Sequence, residues 1–258
     1  MIPYFHWETI ALGPLTLHVW GLFVALGAIL GIFLARRAAR SSGLNPEVVT
    51  DAAVWLVVAG LLGGRLGYIL FYNPGPFFVD PWELFRVWNG GLSSTGGFLG
   101  ALAALSFFAR RRKIDALKLT DALAFGFPFG WAVGRLGCFF THLHPGILSG
   151  SFIAVRYPGG SRLDMGLIES LVAFLIGLLV FVRSDHLGRS DLDASRKGAA
   201  TFTVVWSYLI VRFFLDFLRA RDLSGSDLRV WGLLTPAQLG AVALLALSFF
   251  WFFHRREQ

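Results

Sequence analysis

Charged residues and cysteines are both scarce in this sequence. Only 15% of the residues are charged, against about 25% in a typical soluble domain, and the mean hydropathy is +0.64. A chain so poor in charge has too little polar surface to stay dissolved, which excludes a soluble nucleic-acid-binding protein despite the net charge of +7. It also excludes a disordered chain. The single cysteine, Cys138, excludes a disulfide framework.

Apolar, aromatic and glycine residues are abundant instead. Hydrophobic residues make up 55% of the 258 positions, with 26 Phe, 9 Trp and 30 Gly, as in a membrane protein with closely packed helices. A membrane span needs about 20 largely apolar residues. Segments of that kind lie at 15–36, 50–72, 92–109, 119–140, 165–183, 200–218 and 235–254. The sequence therefore predicts an all-α integral membrane protein, a bundle of about seven helices forming one transmembrane domain over residues 1–258.

The basic residues predict the orientation of this bundle. Of the 23 Lys and Arg residues, 14 fall in loops on one side of the predicted membrane and 6 on the other. Basic loops are retained in the cytoplasm, so we expect the N-terminus outside and the C-terminus inside. A secretory signal peptide is not expected, because Glu8 and no basic residue precede the first apolar run.

Three arginines lie at membrane depth: Arg65, Arg135 and Arg212. An arginine at the bilayer centre costs at least about 2.5–3.5 kcal/mol, so each must face protein, water or an anion. A guanidinium suits phosphate, and lipid headgroups are the abundant phosphates there. The sequence thus predicts a phospholipid-binding cavity open to the outer leaflet. The alternative is a structural role, with Asp216, Asp121 or helix-end carbonyls as partners.

Glycines accompany these arginines. The paired glycines within 63–67 and 134–137 leave one face of each helix without side chains, so that a neighbouring helix or a ligand can approach the backbone. Four glycines within 90–97 are poor helix material. That stretch is either a re-entrant turn presenting Ser93, Ser94 and Thr95 to a headgroup, or a helix start with small residues for packing.

A thiol and two imidazoles follow Arg135, at Cys138, His142 and His144. Their spacing matches no common zinc site, so no metal is expected. An imidazole can accept a proton near neutral pH; the alternative is an interfacial histidine bonded to backbone or lipid. Glu169, in the fifth predicted span, could pair with one of the arginines or orient a substrate hydroxyl.

Several motifs occur in one order along the chain, at 17–22, 63–68, 85–91, 134–137 and 212–214. Together they resemble the bacterial phosphatidylglycerol–prolipoprotein diacylglyceryl transferase family. The resemblance implies a multi-pass enzyme of the bacterial inner membrane, with seven spans and no cofactor. It implies transfer of a diacylglyceryl group from phosphatidylglycerol to a cysteine thiol, with release of glycerol phosphate. The partners it implies are phosphatidylglycerol, a prolipoprotein signal peptide and membrane lipids, and no nucleic acid.

The resemblance carries over residue by residue. Arg135 and Arg212 match the arginines that hold the phosphate. Gly134 and Gly137 match the glycines that flank the first of them, and Arg65 and Tyr68 match the motif of the second span. The predicted catalytic residues are Arg135, Arg212, His142, His144 and Glu169. The predicted substrate-binding residues are Arg65, Tyr68, Ser93, Ser94, Thr95, Gly96, Gly134, Gly137 and Cys138.

The chain also departs from the family pattern. Thr95 stands where the family has the histidine of a His-Gly-Gly motif, Cys138 replaces an asparagine, and only Glu169 remains of a later motif. Threonine cannot act as a base near neutral pH. Three interpretations are open: a transferase in which His142 or His144 is the base, a paralogous transferase with another acceptor at 138–146, or a non-catalytic phospholipid-binding protein.

Overall fold

A computed structural model describes residues 1–13, 15–71, 75, 80–86, 91–186, 197–223 and 234–256. These residues are mostly helical and form seven α-helices, which are α1 Val19–Ser41, α2 Pro46–Phe71, α3 Ser94–Arg112, α4 Ala116–Phe140, α5 Met165–His186, α6 Ala199–Leu215 and α7 Pro236–Arg256. Five short strands accompany them: β1 Thr9–Leu12, β2 Leu15–His18, β3 Pro145–Leu148, β4 Val155–Tyr157 and β5 Gly160–Asp164.

Five of the helices are long and apolar enough to cross a membrane: α1, α2, α4, α5, and α6 with the short 3-10 helix that extends it to Leu218. This confirms a mostly helical, multi-pass membrane protein; seven spans and the orientation stay predictions. Helix α3 contains small residues and ends in three arginines. In α7 the apolar stretch that the structure describes covers Ala237–Ala246.

Two small sheets, which the sequence did not predict, accompany the helical bundle. Strands β1 and β2 pair as an antiparallel hairpin, so the first helix begins at Val19 and not at residue 15. The alternation of Leu15, Thr16, Leu17 and His18 is typical of a strand. Strands β3, β5 and β4, in that order, form an antiparallel sheet between α4 and α5, where the sequence predicted a loop.

The chain divides into two compact units. The first contains Met1–Leu34, Ala124–Asp191 and Ala199–Gln258, and the second contains Ala35–Leu123 and Leu192–Gly198. The second has a core of apolar side chains from α1, α2, α3 and α4; in the first, α4, α5 and α6 pack around Ile176 and Val204. The single domain predicted over residues 1–258 stays a prediction.

Bare glycine faces bring helices into close contact in both units, as the sequence predicted. In the second unit, a Cβ at Gly63 of α2 would lie 2.5 Å from the carbonyl oxygen of Gly96 and 2.9 Å from the Cα of Gly100. In the first unit, a Cβ at Gly27 of α1 would lie 2.3 Å from the carbonyl oxygen of Gly130. No side chain fits at these positions, so the backbones themselves form the interface.

A candidate phosphate site built from three arginines

In the first unit, three arginines from different parts of the chain surround Glu169, a buried residue near the start of α5. Nη1 of Arg212, on the last turn of α6, lies 3.0 Å from Oε1 of Glu169, and Nη2 of Arg219 lies 3.2 Å from the same oxygen. Arg135, on α4, forms an ion pair with the other carboxylate oxygen. A single carboxylate therefore joins all three guanidinium groups.

A second carboxylate, Asp216, completes this arrangement, and we refer to Arg135, Arg212, Arg219, Glu169 and Asp216 as the arginine cluster. Oδ1 of Asp216 lies 3.1 Å from Nη2 of Arg212 and 3.2 Å from Nε of Arg219. The hydroxyl of Thr235 donates to Oδ2. The i,i+4 partnership of Arg212 and Asp216, which the sequence indicated, is thus confirmed.

Gln238 ties the first turn of α7 to the cluster. Its Nε2 donates to the carbonyl oxygen of Phe213 at 3.0 Å, and its Oε1 accepts from the backbone N–H of Thr235 at 2.9 Å. The side chain of Gln238 is completely buried. The side-chain amide of Gln238 thus forms a hydrogen bond through its oxygen and another through its nitrogen, and together they fix Thr235 against Asp216.

The arginine cluster holds one more positive than negative group when all five side chains are ionised. Buried charges are tolerated only when they are paired and hydrogen-bonded, so a single surplus cation favours a singly charged anion. Two buried donors, Nε of Arg135 and the indole N–H of Trp131, have no hydrogen-bond partner. Beside the cluster, Arg212 and Glu169 line a small cavity, whose other walls are Val172, Ala173, Tyr208, Val211 and Leu215.

Cys138 and His144 lie close to this positive charge. The buried thiol of Cys138 has its Sγ 3.8 Å from Nη1 of Arg135. Burial, together with the charges of Arg135 and Arg219, lowers the pKa of His144 to about 4. The imidazole of His144 is therefore neutral at physiological pH. Among the residues that the structure describes, no group of His, Cys, Asp and Glu could hold a metal ion.

His142 lies in a different environment, just after the end of α4, with a φ of +46°. Its Nδ1 is 2.6 Å from Oδ2 of Asp164, and the hydroxyl of Tyr157 donates to that same oxygen at 2.6 Å. The ring of Tyr4 stacks on the imidazole at a centroid distance of 4.9 Å. Nε2 of His142 is buried without a hydrogen-bond partner.

The segment that carries Arg219 is paired with the sheet between α4 and α5. Gly146 of β3 forms an antiparallel bridge with Arg219, and the N–H of Ala220 donates to the carbonyl oxygen of Pro145 at 3.2 Å. Nη1 of Arg162, on β5, lies 2.9 Å from Oδ1 of Asp222. Backbone and side-chain contacts thus fasten this segment to two strands.

Arg65 belongs to the second unit and has its own partners there. Its Nη2 lies 2.5 Å from Oε1 of Glu83, its Nε donates to the carbonyl oxygen of Glu83, and its Nη1 donates to that of Gly91. The ring of Tyr68 lies 5.9 Å from the guanidinium carbon. A Cβ on Gly91 would lie 2.4 Å from that ring, and Gly91 has a φ of +73°, so only glycine fits there.

The glycine-rich stretch at 90–97 leads into the start of α3. This agrees with the interpretation of a helix start with small residues for packing. Ser93 is the N-cap, since its hydroxyl accepts from the N–H of Gly96 at 3.3 Å. The N–H of Ser93 donates to the carbonyl oxygen of Gly64 on α2. Thr95 is exposed. Residues 87–90 and the side chain of Ser94 lie outside what the structure describes.

The two glycines beside Arg135 differ in their surroundings. A Cβ at Gly137 would lie 2.8 Å from the Cβ of Phe23 and 3.2 Å from the carbonyl oxygen of Trp20, both on α1. A Cβ at Gly134 would meet only Val24, at 4.0 Å. Gly137 is therefore required for helix packing in the first unit, whether or not it also contacts substrate.

The sequence predicts Arg135, Arg212 and Glu169 in one site, and the structure brings these three together. It does not predict Arg219, which falls among the loop cations. The spacing of Arg212, Asp216 and Arg219 follows the i, i+4, i+7 pattern of one helical face, and that signal could have found it. The pairing of His142 with Asp164 and Tyr157 joins residues of α4, β5 and β4 and has no comparable local signal.

The family model described as "prolipoprotein diacylglyceryl transferase" matches residues 8–254. The chain belongs to this family. Three similar proteins, each named a phosphatidylglycerol–prolipoprotein diacylglyceryl transferase, agree with this. The protein of Chromohalobacter salexigens is 32% identical over 252 residues, covering 93% of this chain and 91% of the relative. That of Geobacter sulfurreducens is 36% identical over 213 residues, covering 82% and 81%, and that of Allorhizobium ampelinum is 32% identical over 258 residues, covering 96% and 90%.

Family membership confirms what the motifs indicated. The motifs at 63–68, 134–137 and 212–214 fall on α2, α4 and α6 and contain Arg65, Arg135 and Arg212. The motif at 17–22 spans the end of β2 and the start of α1, and residues 87–90 of the remaining motif lie outside what the structure describes. The relatives named above are transferases, so the family is one of enzymes.

Proposed function

We propose that this protein transfers the diacylglyceryl group of phosphatidylglycerol to the cysteine thiol of a prolipoprotein signal peptide. The reaction would take place at the outer face of the bacterial inner membrane, which the chain would cross seven times with its N-terminus outside. The observation that carries the proposal is the buried arginine cluster, with one surplus positive charge and two unpartnered donors beside it. A phosphodiester headgroup has the single negative charge that this cluster lacks.

Arg135 and Arg212 are assigned to the lipid phosphate. Both already form ion pairs with a carboxylate, Glu169, so their guanidinium groups are oriented before any lipid enters. Charge-assisted hydrogen bonds of this kind are about twice as strong as neutral ones. As the glyceryl C–O bond breaks, the second negative charge develops on the departing phosphate, and preorganised cations stabilise it.

The cavity beside Arg212 is assigned to an acyl chain. Apart from Glu169, Tyr208 and Arg212, its walls are the apolar residues Val172, Ala173, Val211 and Leu215. A phospholipid with its phosphate at Arg212 would have its acyl chains in continuous contact with apolar surface. Because the cavity is small, an acyl chain would enter it only if α5 and α6 move apart.

The remaining predicted residues are assigned to substrate contacts. Arg65, Tyr68, Ser93, Ser94, Thr95 and Gly96 lie at or near the α2–α3 interface of the second unit, and Gly134, Gly137 and Cys138 lie around Arg135. The thiol proton requires an acceptor, and Thr95 cannot serve as one. The base is therefore assigned to one of the two imidazoles after α4, His142 or His144.

The proposal is tested by a transfer assay with purified protein in phosphatidylglycerol-containing nanodiscs. Glycerol phosphate release is followed with a lipobox peptide and with a matched peptide in which the cysteine is serine. We expect release only with the cysteine peptide, and a loss of release in Arg135→Ala but not in Arg156→Ala, which changes an exposed arginine of β4. Glycerol phosphate release with the serine peptide, or without any peptide, would indicate another acceptor. An absence of release while lipid still binds would indicate a non-catalytic protein.

A further inference from the structure

His142 is the one imidazole in the described chain whose second nitrogen is buried and unpartnered. We infer that Nε2 of His142 takes the proton of the acceptor thiol, and that Asp164 and Tyr157 are positioning residues that hold the ring for that step. The inference rests on the proposed transferase function and deepens it, since it selects one base of the two and adds two residues outside the family motifs quoted above.

Hydrogen bonding fixes which ring nitrogen carries the proton. An ionised carboxylate only accepts hydrogen bonds, and Oδ2 of Asp164 lies 2.6 Å from Nδ1 of His142. The hydrogen of the neutral ring therefore resides on Nδ1. Nε2 is left with its lone pair, which is the form of imidazole that accepts a proton.

The surroundings hold the ring rigidly. Tyr4 stacks on one side of the imidazole, while Phe5 and Phe139 pack at centroid distances of 5.0 and 5.6 Å. Asp164 is itself fixed, because its Oδ1 accepts from the N–H of Leu167 and so caps α5, while Tyr157 donates to its Oδ2. A buried polar atom with no partner is costly; a thiol, a weak donor in an apolar setting, would supply the missing partner.

His142 follows Arg135 by seven residues, and the helix that carries Arg135 ends at Phe140. In the attack, base, sulfur, carbon, oxygen and phosphorus lie in sequence, so the base must lie apart from the phosphate-binding cation. His144, in contrast, lies in the field of Arg135 and Arg219, and the lowering of its pKa to about 4 makes it a weak base.

In the transfer step, the thiol hydrogen passes to Nε2 of His142 while the sulfur lone pair forms a bond to the glyceryl carbon. The bond from that carbon to the phosphate oxygen breaks, and its electron pair leaves with glycerol phosphate. The imidazolium that forms is stabilised by Asp164, and the proton is then lost to water.

The test is the rate of thiol-dependent glycerol phosphate release from about pH 5 to about pH 9, alongside lipid binding. In the described chain, the titratable groups facing the imidazole are Asp164 on β5, Tyr157 on β4 and Tyr4 of the N-terminal segment. We expect His142→Gln to lose about 100-fold or more in rate with lipid binding retained, and His142→Ala to regain activity with added imidazole.

Asp164→Asn keeps the cap on α5 but loses the charge. We expect a lower rate and an acidic limb of the rate profile moved to lower pH, since the carboxylate no longer stabilises the protonated ring. Tyr157→Phe should show a smaller loss. His6→Gln, which changes a half-exposed imidazole of the same N-terminal region, is the matched control and should match the wild type.

The outcomes separate this inference from the proposed function. If the wild type shows no thiol-dependent release, the proposed function is overturned and the base assignment with it. If the wild type is active and His142→Gln is equally active, only the base assignment fails. An Asp164→Asn variant that unfolds at lower temperature while its rate profile keeps the wild-type pH dependence would show a purely structural role and overturn the positioning assignment.

Discussion

Arg212 and Glu169 are 43 residues apart in the chain, yet Nη1 of the first lies 3.0 Å from Oε1 of the second. The other oxygen of that carboxylate pairs with Arg135. The two arginines assigned to the phosphate are therefore held together by an anion that belongs to the protein. Binding of a lipid phosphate would then be an exchange, in which the headgroup takes over hydrogen bonds that Glu169 makes in its absence.

Truncating either of these arginines should weaken lipid binding. A hydrogen bond to a charged group contributes about 1.5–3 kcal/mol, so Arg135→Ala and Arg212→Ala should each weaken binding of labelled phosphatidylglycerol at least about tenfold. Lysine variants should recover only part of it, because an ammonium group cannot bind phosphate in a bidentate manner. Arg156→Ala is the control, and equal binding by all these variants would contradict the assignment.

Neutralising Glu169 should make the protein more dependent on its lipid. Glu169→Gln raises the surplus charge of the arginine cluster by one, and uncompensated buried charge is destabilising. We expect a lower thermal unfolding midpoint without lipid and a larger rise on adding phosphatidylglycerol than in the wild type. Diacylglycerol, which lacks the phosphate, is the control lipid, and Glu8→Gln, an exposed carboxylate, is the control variant. Equal shifts in variant and wild type would contradict the exchange.

Two glycines on α2 offer a matched pair for testing the helix interface. A Cβ at Gly63 would lie 2.5 Å from a backbone oxygen of α3, whereas a Cβ at Gly60 would be in ordinary contact, at 3.7 Å or more. Gly63→Ala should therefore lower the unfolding midpoint in detergent, while Gly60→Ala should leave it unchanged or raise it slightly, since alanine favours helix. The interface would be wrong if both variants behaved alike.

The low pKa of His144 predicts a loss of stability in acid. An unfolded chain protonates this side chain near pH 6.5, while the folded protein does so only near pH 4. Between these values the unfolded state binds more protons, so the free energy of unfolding falls as the pH falls, by up to about 1.4 kcal/mol per pH unit. Unfolding midpoints measured across this window should depend less on pH in His144→Asn than in the wild type or in His6→Gln. An unchanged dependence would contradict the environment described for His144.

Much of the helical architecture could be predicted, because a membrane span is recorded in the sequence as a continuous apolar run. The sheets were missed, since β3, β4 and β5 are three to five residues long and lie in a stretch rich in glycine and proline. The first apolar run also concealed β2, because its alternating residues were assigned to the first predicted span.

The arginine cluster was predictable in part for a similar reason. A charged residue inside an apolar run is conspicuous, which identified Arg135, Arg212 and Glu169. Arg219 lies beyond the end of α6, where a cation is unremarkable; its i+7 spacing from Arg212 indicates a shared face, and the fold brings it to Glu169. The partners of His142 come from two strands that the sequence did not reveal, so no spacing rule could have joined His142 to Asp164.

The bridge between Gly146 and Arg219 links the sheet to the arginine cluster mechanically. The side chain of Arg219 is held by ion pairs to Glu169 and Asp216, and its backbone is held by pairing with β3. Arg219 therefore takes part in both the sheet and the cluster, so that the position of one of the three guanidinium groups depends on an ordered β3.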